Sequence, residues 1–204
     1  MKYRIAILLV LLLAPSARGG EVPLDARDGD VIFQTSLSSQ SLAIQRATRS
    51  PYSHVGIIFH RNGKPYVFEA ASTVRFTPLR KWIARGSGAH FVIKRLKNAD
   101  TLLPTTAVRN LRKEALRFQG KPYDFTFEWS DRRIYCSELV WKTFDRALGI
   151  QVGSPQKLKE FNLSDPIVVR KLEQRYGSNV PLEETVISPG AVFDSMELVT
   201  VTEK

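Results

Sequence analysis

The chain has 204 residues, 43% of them hydrophobic and 25% charged, which provides core material for one domain and excludes a disordered or low-complexity protein. Its formal charge is +10, from 30 Lys and Arg against 20 Asp and Glu. No basic stretch is interleaved with aromatic side chains as single-stranded nucleic acid binding requires, so a nucleic-acid partner is not expected; the charge is read as solubility, with peripheral attraction to an anionic cell envelope as the alternative.

At the start, Lys2 and Arg4 precede an apolar run from Ile5 to Ala14, followed by Pro15, Ser16, Ala17 and Gly19-Gly20. This is the layout of a secretory signal peptide, and the run is too short to cross a bilayer as a helix. Residues 1–19 are therefore expected to be a leader, residues 20–204 a single domain, and the protein exported, most simply to a periplasm. In an oxidising compartment the single cysteine, Cys136, cannot form an internal disulfide. It is buried, joined to another chain, or kept for its reactivity.

Asp28-Gly29 predicts a turn and Asp30–Gln34 a strand. Ser38 to Arg49 reads as a helix ended by Ser50-Pro51, since a residue before proline is pushed out of the helical region. Tyr52–His60 and Pro65–Ala70 are β-branched and aromatic, and Asn62-Gly63 between them signals a hairpin. A two-residue loop pairs Arg61 with Lys64. Val55, Ile57 and Phe59 then share a core face with Tyr66, Phe68 and Ala70. On the other face, His54 and Glu69 become diagonal neighbours, with Gly56 across from the glutamate, close enough for a long carboxylate to reach the ring. A one-residue bulge would place Glu69 on the opposite face.

Thr77-Pro78 reads as an N-cap and first-turn proline opening a short helix, Leu79 to Arg85, stopped by Gly86. A strand over His90–Leu96 and an amphipathic helix over Ala107–Phe118 follow. After an aromatic loop with Phe125, Phe127 and Trp129 comes Tyr135-Cys136-Ser137-Glu138. Leu139, Val140, Trp141, Phe144 and Leu148 then recur at helical spacing, with Gly149 as the residue that ends the helix. Cys136 falls in the first turn, where unpaired N–H groups and the positive end of the helix dipole favour a thiolate. Lys142 and Arg146 read as an exposed like-charged pair. Gly149 to Leu163 reads as a surface excursion, Ser164-Asp165-Pro166 as the cap of a helix to Tyr176, Ser188-Pro189 as a short helical turn, and Leu198–Val201 as a last strand. Strands and helices do not alternate regularly, so the class is α+β.

A thiol at a helix start, a histidine on a strand and a carboxylate on the paired strand are the parts of a cysteine–histidine–acid triad. Plainer readings exist for each: a packed cysteine, a satisfied histidine, a solvated glutamate. His54, His60, Glu69 and His90 show no compact metal spacing, and neither a metal nor another cofactor is expected.

GKPYDFTFEWSDRRIYCSELV, residues 120–140, resembles the cysteine motif of NlpC-type papain-like hydrolases, where a G-x-P-Y segment precedes a cysteine that opens a helix. Histidine and acid come before the cysteine, as in circularly permuted members of that superfamily. DGDVIFQ, YSHVGIIF, KPYVFEA, QKLKEF and PLEETVISP further resemble its small exported YiiX-like branch. The resemblance implies a permuted papain-like α+β fold, an antiparallel sheet with the nucleophile helix packed on it. It implies Cys136 as nucleophile, His54 as base, Glu69 as the group that orients His54, and Tyr123 as a cleft residue; Tyr135, beside the nucleophile, joins Tyr123 as a substrate-binding candidate. The chain departs from the pattern in lacking a double glycine after Tyr123 and in having Tyr135 and Glu138 where aspartate and glycine commonly flank Cys-Ser. The implied activity is hydrolysis of an amide in a cell-wall peptide or amino-acid conjugate. The alternatives are a lipid acyl hydrolase or acyltransferase of the lecithin–retinol acyltransferase type, with the three loop aromatics as an apolar way in, and a catalytically silent module that binds an envelope ligand. Oligomeric state stays open.

Overall fold

The structure is a computed structural model that describes residues 25–204; the expected leader lies outside them. The first half of the described chain builds most of a sheet. β1 (Val31–Gln34), α1 (Ser41–Thr48), β2 (His54–Arg61), β3 (Lys64–Ala70), β4 (Val74–Pro78), α2 (Leu79–Ala84) and β5 (Val92–Leu96) follow in order. Then come α3 (Ala99–Leu102), α4 (Thr105–Leu116), α5 (Cys136–Leu148), β6 (Gln156–Lys157), α6 (Pro166–Tyr176), β7 (Thr185–Val186), α7 (Pro189–Phe193) and β8 (Leu198–Glu203). Six strands form one sheet in the order β4-β3-β2-β1-β5-β8, every neighbouring pair antiparallel, and β6 and β7 make a separate ribbon. This is the α+β architecture the sequence predicts.

The hairpin register is as expected. Arg61 pairs with Lys64 and Ile57 with Phe68, and Asn62 and Gly63 both have positive φ (50° and 71°), the backbone of a tight two-residue hairpin turn. Val55, Ile57, Phe59, Phe68 and Ala70 share the main core with Leu139, Val140 and Phe144 of α5 and with Leu111 and Ala115 of α4; Tyr66 is only half-buried. The reverse face is also covered. Ile32, Ile58, Val67 and Ile93 pack beneath Leu79, Trp82 and Ile83 of α2. A sheet buried on both sides leaves no solvated side for Glu69, which is 0% exposed.

Gly56 is where the hairpin is tightest. A Cβ there would stand 2.4 Å from Val67 Cγ1 and 2.9 Å from the Phe68 carbonyl oxygen. Only glycine leaves room for β3 at this point of β2.

Three expectations need correction. Thr77 and Pro78 do not open α2 as cap and first residue; they end β4, an edge strand, where a proline's missing N–H costs no ladder bond. Lys142 and Arg146 are not an exposed repelling pair. Lys142 is buried, its Nζ 2.7 Å from Glu138 Oε1 and 3.0 Å from Asp131 Oδ1, and Arg146 grips Asp131 at 2.6 and 3.0 Å. The acids that reconcile the two cations are one turn back on α5 and in the preceding loop. The stretch from Gly149 to Leu163 is more than surface, because it buries Val152 and Leu158 and contributes β6.

Replacing Gly56 by alanine is expected to lower stability by about 1–3 kcal/mol, the usual cost of overpacking a fixed core. A denaturant midpoint unchanged from wild type would show that β2 and β3 can separate locally.

Candidate active site

The nucleophile helix begins at Tyr135, whose extended backbone (φ −102°, ψ 169°) turns the chain into α5. The Tyr135 N–H donates to Glu138 Oε2 at 3.4 Å, so the first turn is closed by its own third residue. Two further bonds tie this turn to the segment after β7. The Ser137 hydroxyl donates to the Ile187 carbonyl at 2.7 Å, and the Ile187 N–H donates to the Tyr135 hydroxyl at 3.1 Å. Cys136 is thereby held with 2% of its surface exposed.

β2 delivers His54 to the same place. His54 Nε2–H donates to Glu69 Oε2 at 2.6 Å across the hairpin. With Nε2 committed, Nδ1 is the ring nitrogen left for Cys136, and each of the two groups shifts the other's titration. Trp82 lies almost parallel to the imidazole, ring centroids 5.7 Å apart and planes 24° from one another, so the ring is fixed on its flank as well as at its tip.

Glu69 gathers three more donors. Thr77 Oγ1 donates to Oε1 at 2.5 Å, and Trp82 Nε1 at 2.9 Å and Arg85 Nη2 both donate to Oε2. Arg85 Nη2 is also 3.3 Å from His54 Nε2, so the two donors converge on one oxygen. Sequence reasoning does not find Thr77, Trp82 or Arg85. A signal exists for the last two, because a spacing of three puts their side chains on one side of a single helical turn. Thr77 escapes because its pairing with Pro78 reads as a helix cap and not as an edge strand facing Glu69.

The electrostatics follow from burial and pairing. Burial opposes charge on Glu69, yet the bond to His54, its cation, the Arg85 guanidinium and the Thr77 hydroxyl outweigh it and hold the carboxyl at about 2. Burial also opposes protonation of His54, but the bonds to Cys136 and Glu69 and their negative charge lift it to about 9. For Cys136, burial raises the thiol, while the His54 bond and charge and the N–H groups of Val55 and Ser137 bring it below its usual value. The thiol is thus shifted down and the imidazole up, the senses that favour a thiolate–imidazolium pair beside the Glu69 carboxylate. The stability that Glu69 contributes is complete above its unfolded value of 4.5 and is lost as the pH falls through about 2. That of His54 is complete below 6.5 and is lost as the pH rises through about 9.

Two cavities meet at this pair. One, of about 80 Å³, is lined by Cys136, by Ala43, Ile44 and Ala47 of α1, by Val168 and Leu172 of α6, and by Ile187; its walls are overwhelmingly apolar. The other, of about 430 Å³, is lined by His54, Arg85 and several serines and is more polar. Tyr123 and Gln40 border both, and Gln40 Nε2 donates to the Tyr123 hydroxyl at 2.9 Å. Gln40 carries no sequence signal. Tyr135 lines the apolar cavity, with its hydroxyl already taken by Ile187. The loop aromatics separate: Phe127 lines the apolar cavity, Phe125 the polar one, and Trp129 packs on Trp141 with centroids 5.3 Å apart. Asp124, fully buried, shapes this loop by accepting from the N–H groups of Thr126 and Glu128 at 2.9 and 2.7 Å.

Known proteins share this arrangement of sequence and fold. Residues 25–202 match the family described as "Permuted papain-like amidase enzyme, YaeF/YiiX, C92 family". The chain is 50% identical over 204 residues to uncharacterized protein YiiX of Escherichia coli strain K12, covering 100% of this chain and 97% of that one. The crystal structure of a protein described as metalloprotein yiiX, from Escherichia coli O157:H7, superposes with a TM-score of 0.84 at 54% identity, covering 87% of this chain and 97% of the other.

If His54 holds the thiolate, alkylation of Cys136 by iodoacetamide is expected to be fast already near pH 7 and to slow by roughly tenfold or more in His54→Ala, whose profile moves above the ordinary thiol range. Superimposable pH profiles for the two proteins would show a thiol that is uncoupled from the imidazole.

Proposed function

The chain belongs to the permuted papain-like amidase family and is a cysteine hydrolase, and from that premise we propose that Cys136, His54 and Glu69 form its catalytic triad and that it cleaves an amide between an apolar acyl group and a polar amine. The observation that carries this reading is the division of the site. Cys136, which takes the acyl group, lines the apolar cavity, and His54, which serves the leaving amine, lines the polar one.

The Cys136 thiolate adds to the acyl carbon, and the oxygen gains charge at a helix start where backbone N–H groups point outward. The Tyr123 hydroxyl accepts from Gln40 and keeps its own proton for that oxygen; burial, with the negative charge of Cys136 beside it, holds Tyr123 well above the usual phenol value, so the proton stays on. The C–N bond then breaks, and the imidazolium gives its proton to the departing amine. Water, deprotonated by His54, attacks the thioester, releasing the acid and restoring the thiol. Glu69 keeps Nε2 protonated throughout, so Nδ1 faces the chemistry.

The cavity beside Cys136 is narrow, about 80 Å³, which suits a slender group better than a bulky one. Its apolar walls favour an alkyl chain over a cell-wall peptide, whose amides would lose water there without regaining hydrogen bonds. This narrows the amino-acid-conjugate reading to acylated amines. The same cavity supports a second reading, cleavage of an acyl ester in a lipid. The basic charge and the signal-like leader support action outside the cytoplasm, in a periplasm or at its membrane surface. The relative of known structure is described as a metalloprotein. Among the described residues of this chain, no three His, Cys, Asp or Glu side chains are grouped so as to hold an ion, so the residues present do not fit a resident metal and every step above uses protein groups alone.

Purified protein is to be incubated with N-acyl alanines of increasing chain length, phospholipids and peptidoglycan fragments, with products read by mass spectrometry. Acid release from the amides is expected to rise about two- to fourfold per added methylene until the cavity is full, and to vanish in Cys136→Ala. Faster cleavage of peptidoglycan fragments, or no dependence on chain length, would sink the acyl reading; phospholipid turnover above amide turnover would select the ester one.

A further inference from the structure

We propose that Arg85 binds a carboxylate on the leaving group, so that the substrate is an acyl conjugate of an amino acid with a free carboxyl. The proposal rests on the amidase reading above and adds the identity of the amine half.

Arg85 is fixed immediately after α2, its backbone N–H donating to the Ile83 carbonyl. Only Nη2 is engaged, by Glu69; Nε and Nη1 have no hydrogen-bond partner among the described residues. A guanidinium carries five N–H donors in a planar fork, and a carboxylate accepts two of them side by side. The side chain is 35% exposed, and it lines the polar cavity together with His54. Among the described residues no acidic side chain lines that cavity, and Arg85 is its one permanently charged wall group. Glu69, the nearest carboxylate, already receives four side-chain donors, from His54, Trp82, Thr77 and Arg85 itself. Guanidinium donors beyond the one on Glu69 are therefore available in the cavity that His54 also lines. In an amino acid the α-carboxylate is two bonds from the amine nitrogen, so a leaving group protonated at Nδ1 can extend its carboxylate along this shared cavity to the arginine on the Nε2 side of the ring.

A merely supporting role for Arg85, holding Glu69 charged, would act on every substrate alike. The test therefore compares two substrates that share an acyl chain and differ only in the carboxyl: N-dodecanoyl-alanine and N-dodecanoyl-alaninamide. Wild type is expected to prefer the acid by roughly 10–100-fold in kcat/KM, the range of a hydrogen bond to a charged group. In Arg85→Gln that ratio should collapse toward one, chiefly through KM, and Arg85→Lys should restore part of it. Equal turnover of both substrates by wild type overturns the proposal and leaves the amidase reading standing. So does a ratio in Arg85→Gln that stays at the wild-type value while both rates fall. If wild type cleaves neither substrate although iodoacetamide still alkylates Cys136, the amidase reading fails first and this proposal with it.

Discussion

Glu69 is wholly enclosed, and a carboxylate taken out of water keeps its charge only where donors and a cation replace its hydration. Here the replacements come from elements that would otherwise be independent. His54 belongs to β2, Thr77 to β4, Trp82 to α2, and Arg85 follows α2. Satisfying one buried charge thus fixes the His54 ring, docks α2 on the back of the sheet, and seats the edge strand. Gly56 makes the arrangement possible, since any larger residue across from Glu69 would force β2 and β3 apart.

The Cys136 side has its own buried carboxyl. Glu138 is 0% exposed, and burial outweighs the Lys142 cation and the Tyr135 N–H to raise its carboxyl to about 8. Lys142 also bonds the Ser130 carbonyl and Asp131, so the α5 start is tied to the loop that precedes it. The thiol, the base and their supports accordingly sit on elements held from behind by packing, while the two cavities open in front. Separate walls for the two halves of a substrate are what an enzyme needs when it must release one product and retain the other as a thioester.

Much of this is legible from local signals. Asn62-Gly63 sets the hairpin register, and the register alone puts His54 and Glu69 on one face. Gly149, at φ 68°, ends α5 where the apolar spacing stops. What stays hidden in the sequence are relations made by folding at a distance. The partners of Lys142 are spread over a loop and a helix turn, so a reading of its own helix shows only a neighbouring Arg146 of like charge. Whether Glu69 is solvated depends on α2 covering the reverse face, which period-two alternation cannot report. Thr77-Pro78 carries a helix-start signature that a short edge strand also tolerates. The cavities are assembled from α1, α6 and the end of β7, and no motif announces them.

The order of Cys136, His54 and Glu69 along the chain has a consequence for when the proposed thiol reactivity arises. His54 and Glu69 are 15 residues apart on a hairpin closed by two residues, whereas Cys136 meets them only when α5 docks on β2. Contacts of short sequence separation close at low entropic cost, and those of long separation depend on the whole chain being in place. In an unfolded or half-folded chain the cysteine is an ordinary thiol, largely protonated at neutral pH. On the proposed mechanism its reactivity is a property of the finished molecule, since the imidazole that lowers the thiol reaches it only when α5 docks on β2.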